Sequence, residues 1–156
     1  EDGAQIPLLG EEHVVCHDPD LKAVAIKAEN TIKMGGRPEH LARRLGDWLR
    51  KEAKAEIQPR AQTMAAELDR KIGRITVRDT KSRWGSCAPN GNLSFCWRLI
   101  LTPEWVLDYV VAHEVSHLRH MDHSAAFWQT VAGFDVQVEA ARAWLNTNAE
   151  QLQRYG

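Results

Sequence analysis

Residues 113–117 read His113-Glu114-Val115-Ser116-His117, an H-E-x-x-H run, and with His120 and His123 close behind, four of the seven histidines fall within eleven residues. On an α-helix, residues four apart stack nearly one above the other, which lets the His113 and His117 rings converge on one ion. Glu114 is rotated around the same helix, where a carboxylate reaches a metal-bound water more readily than the metal itself. With 7 histidines in 156 residues, chance would produce such a run in roughly 2% of chains of this composition. The chemistry it points to is hydrolysis. Zn2+ would polarise a carbonyl and acidify a water, while Glu114 takes that water's proton and returns it to a leaving amine.

Three residues are candidates for the third ligand. His123 completes H-E-x-x-H-x5-H, the spacing of an open three-histidine zinc site that keeps its fourth position for water, and it reaches back easily from beyond a Met121-Asp122 turn. His120 stands at i+7 from His113, about 10 Å along the axis of a continuing helix, a poor arrangement for a tetrahedral ion. Glu139 could supply a carboxylate from a later helix, as a ligand or as the group that holds an imidazole N–H. Among the polar residues nearby, Arg83 or Arg98 could steady an oxyanion or a substrate carboxylate. The alternative for the Arg83-Trp84-Gly85-Ser86-Cys87 stretch is a hairpin anchored by a buried Trp84 with solvated charges. Tyr109, one turn before His113, belongs either to the core or to the metal's surroundings.

A helix must carry the motif. Thr102-Pro103-Glu104 has the marks of its start: a capping hydroxyl, a proline at the first position and an acid in the first turn. Trp105, Val106, Leu107, Tyr109, Val110, Val111, Ala112, Val115 and Leu118 leave almost no polar face, so burial nearly all round is expected. Upstream, Leu41, Leu45, Trp48, Leu49 and Ala53, then Ala61, Met64, Ala65 and Leu68, recur at helical spacing. They predict one long helix kinked at Pro59 or two joined there, with Pro38 in the first turn. Strands are expected over 72–78 and 93–101, with the Asn90-Gly91 hairpin dipeptide between them. The stretch 92–98 would then be an edge on which an extended peptide adds as a strand. Residues 6–34 hold short β-type runs at 12–16, 23–27 and 31–34, a meander broken by Gly35-Gly36. Downstream, Asp122 or Ser124 caps a short helix that ends at Gly133. A last amphipathic helix spans about 135–152, with Val136, Ala140, Trp144 and Leu145 inward.

A chain of 156 residues is long enough for a core without staples. Its net charge of −1 advertises neither nucleic acid nor a membrane surface. The arginines and lysines over 37–54 alternate with Glu39, Asp47 and Glu52, the pattern of a solvated helix face. No apolar run approaches the ~18 residues of a membrane span, and the first residues show no basic-then-apolar pattern. Cys16, Cys87 and Cys96 are odd in number and lack C-x-x-C spacing, which predicts reduced thiols in a cytoplasmic protein rather than disulfides or a thiolate zinc site.

Arg83-Trp84-Gly85-Ser86-Cys87, the run Leu93-Ser94-Phe95-Cys96-Trp97-Arg98-Leu99-Ile100, Pro103, Leu107-Asp108-Tyr109-Val110-Val111-Ala112-His113-Glu114, and His123-Ser124 followed by Phe127-Trp128 also form a set. Over residues 38–152 the chain resembles the YgjP-like metallopeptidases, relatives of the SprT-like and WLM families. The resemblance implies an α+β, zincin-like domain over 37–156 with a long N-terminal helix, a small antiparallel β-sheet and a buried H-E-x-x-H helix. It further implies zinc on His113, His117 and His123, with Glu114 as catalytic acid/base. Members carry more β structure ahead of this region, so residues 1–36 are expected to be what remains of a longer β segment.

The leading function is therefore a zinc-dependent peptidase acting on extended or unfolded polypeptide. One alternative is hydrolysis of a phosphoanhydride such as a nucleoside triphosphate, with Lys81, Arg83 and Arg98 neutralising phosphate. Against it stand the lack of a glycine-rich phosphate loop and of a carboxylate cluster for Mg2+. The other is a non-catalytic domain stabilised by zinc, in which Glu114 has no catalytic part.

Overall fold

The computed structural model describes residues 2–22 and 25–155. Two small sheets and four α-helices make an α+β arrangement around one continuous core. The first sheet holds β1 (Gln5–Leu8), β2 (Glu11–His17), β3 (Ala25–Ala28) and β4 (Thr31–Met34) in the order β1-β2-β4-β3. This is not the meander expected from the strand runs. β4 inserts between β2 and β3 and pairs with β2 in parallel, Val15 opposite Ile32, so that Val15, Ile32 and Met34 are fully buried. Ala23 and Val24 of the expected run 23–27 lie outside the described residues.

This sheet is tied to the rest of the molecule through its first turn. Leu9 N–H donates to the Ile100 carbonyl at 2.8 Å. Gly10 has φ +83°, and a Cβ there would stand 3.1 Å from Pro103 Cα, so glycine meets both a backbone and a space requirement.

α1 (Leu41–Glu67) follows a single 3-10 turn at Pro38–His40 and runs 27 residues with Pro59 inside it, the one-helix alternative. Pro59 removes one backbone donor from the ladder. Beside that gap the Arg60 guanidinium donates to the Glu56 carbonyl at 2.8 Å. The buried residues Leu41, Leu45, Leu49, Ala53, Ile57, Ala61 and Ala65 recur every fourth position. A four-residue repeat precesses by about 40° per step on a 3.6-residue helix. The stripe therefore winds, and the helix packs on β3 and β4 as well as on β5 and α2.

The second sheet contains β5 (Ile75–Arg78), β6 (Gly85–Cys87) and β7 (Leu93–Cys96) in the order β5-β7-β6. Asn90-Gly91 does sit in a hairpin, but its arms are β6 and β7, with β5 added in parallel to the far side of β7. Both sheets are thus mixed, which corrects the expected antiparallel sheet. The same order makes β7 the central strand, so the edge expected over 92–98 is instead β6. Nor does a strand continue to residue 101. Trp97–Leu101 is a 3-10 turn with all five residues buried, and a short apolar stretch interrupted only by Arg98 does not distinguish strand from buried turn.

α2 (Glu104–Ser116) starts at Pro103, with no side-chain cap. The Thr102 hydroxyl expected to cap it instead donates back to the Leu99 carbonyl at 2.7 Å, closing the 3-10 turn. Nine of its residues are buried, including Val106, Leu107, Val110, Val111 and Val115, as its all-round apolarity requires. Arg60 of α1 clamps its first turns, donating to Asp108 at 2.7 Å and Glu104 at 2.8 Å. α3 (Ala125–Ala132) is capped by Ser124, whose Oγ accepts from Phe127 N–H at 3.3 Å. α4 (Val138–Gln153) turns Ala141, Leu145 and Leu152 inward. Of the positions expected there, Leu145 is buried, Trp144 is half-buried, Ala140 is exposed and Val136 precedes the helix.

Candidate metal centre

The last turn of α2 carries His113 and Glu114, and the helix ends at Ser116 with His117 in the C-cap position. Because the helix stops there, His120 does not continue the His113 face. Its carbonyl instead accepts the Nδ1–H of His117 at 2.9 Å. The chain then turns and delivers His123 just ahead of α3. Among the described residues, His113, His117 and His123 each offer a ligand atom, all within 4.8 Å of one another; neither His120 nor Glu139 belongs to the set. The ring centroids are 5.1 Å (His113–His117), 5.4 Å (His113–His123) and 4.9 Å (His117–His123) apart.

The hydrogen bonds of two of the rings leave a nitrogen free for a cation. A carbonyl only accepts, so the proton His117 shares with His120 sits on Nδ1 and leaves the Nε2 lone pair free. Burial pushes the His117 pKa below its ordinary value, which favours the neutral form that a metal ligand needs. The His113 Nδ1 lies 3.1 Å from Glu114 Oε2, and a carboxylate likewise leaves that proton on Nδ1. Three imidazoles beside one carboxylate fit a borderline-soft divalent ion such as zinc.

Two further features hold this arrangement. Glu114 is only 5% exposed, and its carboxyl is cradled by Gly85 at the start of β6. A Cβ on Gly85 would come within 2.8 Å of Glu114 Cγ and 3.1 Å of its Oε2. Phe127, wholly buried, forms the floor. It stacks on His117 at 4.4 Å and meets His113 and His123 edge-on, each at 5.1 Å. Trp128 adds a second wall, stacked on His123 at 6.0 Å and edge-on to His113 at 5.6 Å.

A cavity of about 290 Å³ opens beside His113 and Glu114, and Arg83, Trp84, Tyr109 and Arg142 are among its lining residues. Tyr109 is buried, its ring edge-on to His113 at 5.9 Å. Burial raises the Tyr109 pKa, so the side chain remains a phenol able to donate. Arg83 is therefore at the cleft, whereas Arg98 is not. Arg98 is fully buried, its guanidinium donating to Asp79 and to the Tyr155 carbonyl, and it ties the chain's end to the core. Glu139 is exposed in the first turn of α4. Burial, with Glu114 nearby, pushes the Cys87 thiol up to about 11, so it is no thiolate at neutral pH. The described cysteines are all free.

Nothing in the sequence singles out Gly85, Phe127 or Arg142 as part of the site. The first two did stand in the motif blocks at 83–87 and 123–128, where each reads as packing. Arg142 carries no motif. Its one signal is helical spacing: it shares a face with Leu145 and Asn146, which line the same cavity.

The family model described as "YgjP-like, metallopeptidase domain" matches residues 1–148. The match therefore includes the N-terminal sheet as well as the histidine cluster. Neither a curated protein nor a solved structure matches the chain.

Proposed function

We propose that this chain, which belongs to the YgjP-like metallopeptidase domain family, is a zinc-dependent peptidase of the zincin type that hydrolyses peptide bonds in extended or unfolded polypeptide. The observation that carries this proposal is the convergence of His113, His117 and His123 next to a buried Glu114. The three histidines would hold the ion. When bound, zinc would supply a Lewis acid for the scissile carbonyl and a water whose pKa is lowered toward ~7. Glu114 accepts the proton of the attacking water and delivers it to the leaving amine. Its burial and its Gly85 cradle hold the carboxylate in one place for both transfers. Tyr109 and Arg83, at the wall of the adjoining cavity, are candidates to donate to the oxygen that gains charge. Strand β6 has an unpaired edge beside Glu114, so an extended substrate can pair with it by main-chain hydrogen bonds. Among the described residues no helix is long and apolar enough to cross a membrane; the cytoplasmic location we propose rests on the odd number and spacing of the cysteines.

The phosphoanhydride alternative loses Arg98, which is committed to Asp79 and Tyr155, and keeps Arg83, which shares its cavity with Arg142. The test is cleavage of an unfolded protein and of a nucleoside triphosphate by the zinc-loaded chain, before and after chelation. Cleavage of the polypeptide alone, lost on chelation and restored by zinc but not magnesium, is expected. Release of phosphate or pyrophosphate without peptide cleavage would replace this function with the alternative.

A further inference from the structure

The grooves around the histidine cluster are far more basic than the chain as a whole. Lys and Arg total 20 against 21 Asp and Glu, yet the cavity beside His113 is lined by Arg83 and Arg142, with Glu114 as its only acid. On the other flank, a cavity of about 220 Å³ beside His117 is lined by Arg70, Lys71 and Arg119, with no acid. A third, about 430 Å³, shares Arg83 and Gly85 with the first and runs over the second sheet past Arg74 and Arg78, again with no acid. Among the described residues, neither Arg83 nor Arg142 forms an ion pair with a carboxylate.

Arg142 is also held in position. Its guanidinium carbon lies 5.3 Å from the Trp128 ring centroid, and that ring stacks on His123, so the charge is fixed next to the proposed reaction centre. Trp84 and Tyr109 give the same cavity apolar walls. A cavity of this kind, with aromatic walls and two guanidinium groups that no carboxylate pairs among the described residues, is suited to a short side chain ending in a carboxylate. Chains of phosphates fit less well, because the cations are spread over several cavities along a free strand edge rather than gathered in one. That edge offers main-chain pairing, which a peptide uses and a nucleic acid does not.

We infer that the substrate is an acidic polypeptide segment, and that the cavity between Arg83 and Arg142 receives a glutamate or aspartate side chain next to the scissile bond. This inference rests on the peptidase function proposed above and deepens it. Basic residues on the flanking grooves take further acidic side chains along the same segment and raise the rate of encounter at low salt.

The experiment uses quenched fluorescent peptides that differ only in carrying Glu, Gln or Lys at each position around one cleavage site. At one position next to the scissile bond, kcat/KM is expected to favour Glu over Gln by about tenfold, with Lys below Gln, the modest value that suits exposed arginines. Arg142→Gln should flatten that preference, as should Arg83→Gln, which also slows all three peptides through its place at the oxyanion, while Arg142→Glu should reverse it. Equal cleavage of the three peptides, or a preference that survives in the double Gln variant, overturns the inference and leaves the peptidase function standing. If no peptide is cleaved, the peptidase function fails. Fluorescence anisotropy of the labelled Glu and Gln peptides with zinc-loaded Glu114→Gln protein then decides the cavity's preference by itself. Tighter binding of the Glu peptide, lost in Arg142→Gln, supports the acidic cavity. Equal binding, or equal displacement by a single-stranded oligonucleotide of the same charge, overturns it.

Discussion

Gly85→Ala adds one methyl group where β6 meets the Glu114 side chain, and the structure sets the scale of its effect. The new Cβ would lie 2.8 Å from Cγ, 3.1 Å from Oε2 and 3.2 Å from Cδ of Glu114, against an optimal carbon–carbon separation of about 3.5–4.0 Å. Relief requires a shift on the order of 1 Å. Because Cγ is close to the helix backbone, a rotation of the carboxyl tip does not provide it. The backbone itself accepts alanine, since Gly85 is not in the left-handed region. Overpacking costs about 1–3 kcal/mol, and reduced unfolded-state entropy returns about 0.4–1 kcal/mol. A net loss of about 1–2 kcal/mol corresponds to a fall in Tm of several degrees at this chain length. Activity should suffer more. Misplacing a catalytic group by ~1 Å lowers rate about 100-fold, while the three histidines, which supply none of the three atoms nearest the new methyl, keep zinc. The assay is kcat/KM on an unfolded-protein substrate, with zinc stoichiometry and Tm measured on the same samples. A zinc-loaded variant within about threefold of the parent in kcat/KM would refute the claim that the β6 cradle sets the position of Glu114.

Other perturbations separate the roles of neighbouring residues. His123→Ala should weaken zinc binding by more than the about 10–100-fold typical of outer-sphere partners, whereas His120→Ala, which keeps the carbonyl bonded to His117, should leave zinc affinity unchanged in a competition titration with a chromophoric chelator. Phe127→Ala removes a fully buried ring under all three histidines and is expected to cost about 3–5 kcal/mol in urea unfolding. Arg98 holds the Asp79 carboxyl below its ordinary 3.8. A depressed folded-state value means the contribution of Asp79 to stability is present above pH ~4 and is lost as pH falls through the folded value. Asp79→Asn should therefore lower Tm at neutral pH and flatten its decline on the acid side of pH 4.

The site was legible in the sequence to the extent that it is local. Histidines four apart on one helix are bound to be neighbours, and burial of α2 follows from a stretch that is apolar on every side. The cap of α3 was readable as one of two residues, Asp122 or Ser124, and the structure selects Ser124. What escaped was long-range pairing. Asn90-Gly91 marks a hairpin but does not say which strands flank it, and a three-residue arm, Gly85–Cys87, is too short to show a period. The insertion of β4 between β2 and β3 likewise has no local signal. Thr102 shows a competing local bond winning, because its hydroxyl serves the 3-10 turn before it rather than the helix after it. Arg98 and Arg83 look alike in sequence. Only the fold distinguishes a guanidinium enclosed with Asp79 and the Tyr155 carbonyl from one at the cleft wall.

Glu114→Gln tests the proposed function most directly, because glutamine fills the same Gly85 cradle and leaves the three histidines in place. Zinc content, Tm and cleavage of an unfolded protein should be measured on the parent and the variant side by side. Equal zinc and similar Tm, with the rate reduced by at least about 100-fold, are the expected results. Equal cleavage by both proteins with one zinc bound would contradict a role for Glu114 as the proton carrier. No cleavage by the zinc-loaded parent would contradict the peptidase function itself.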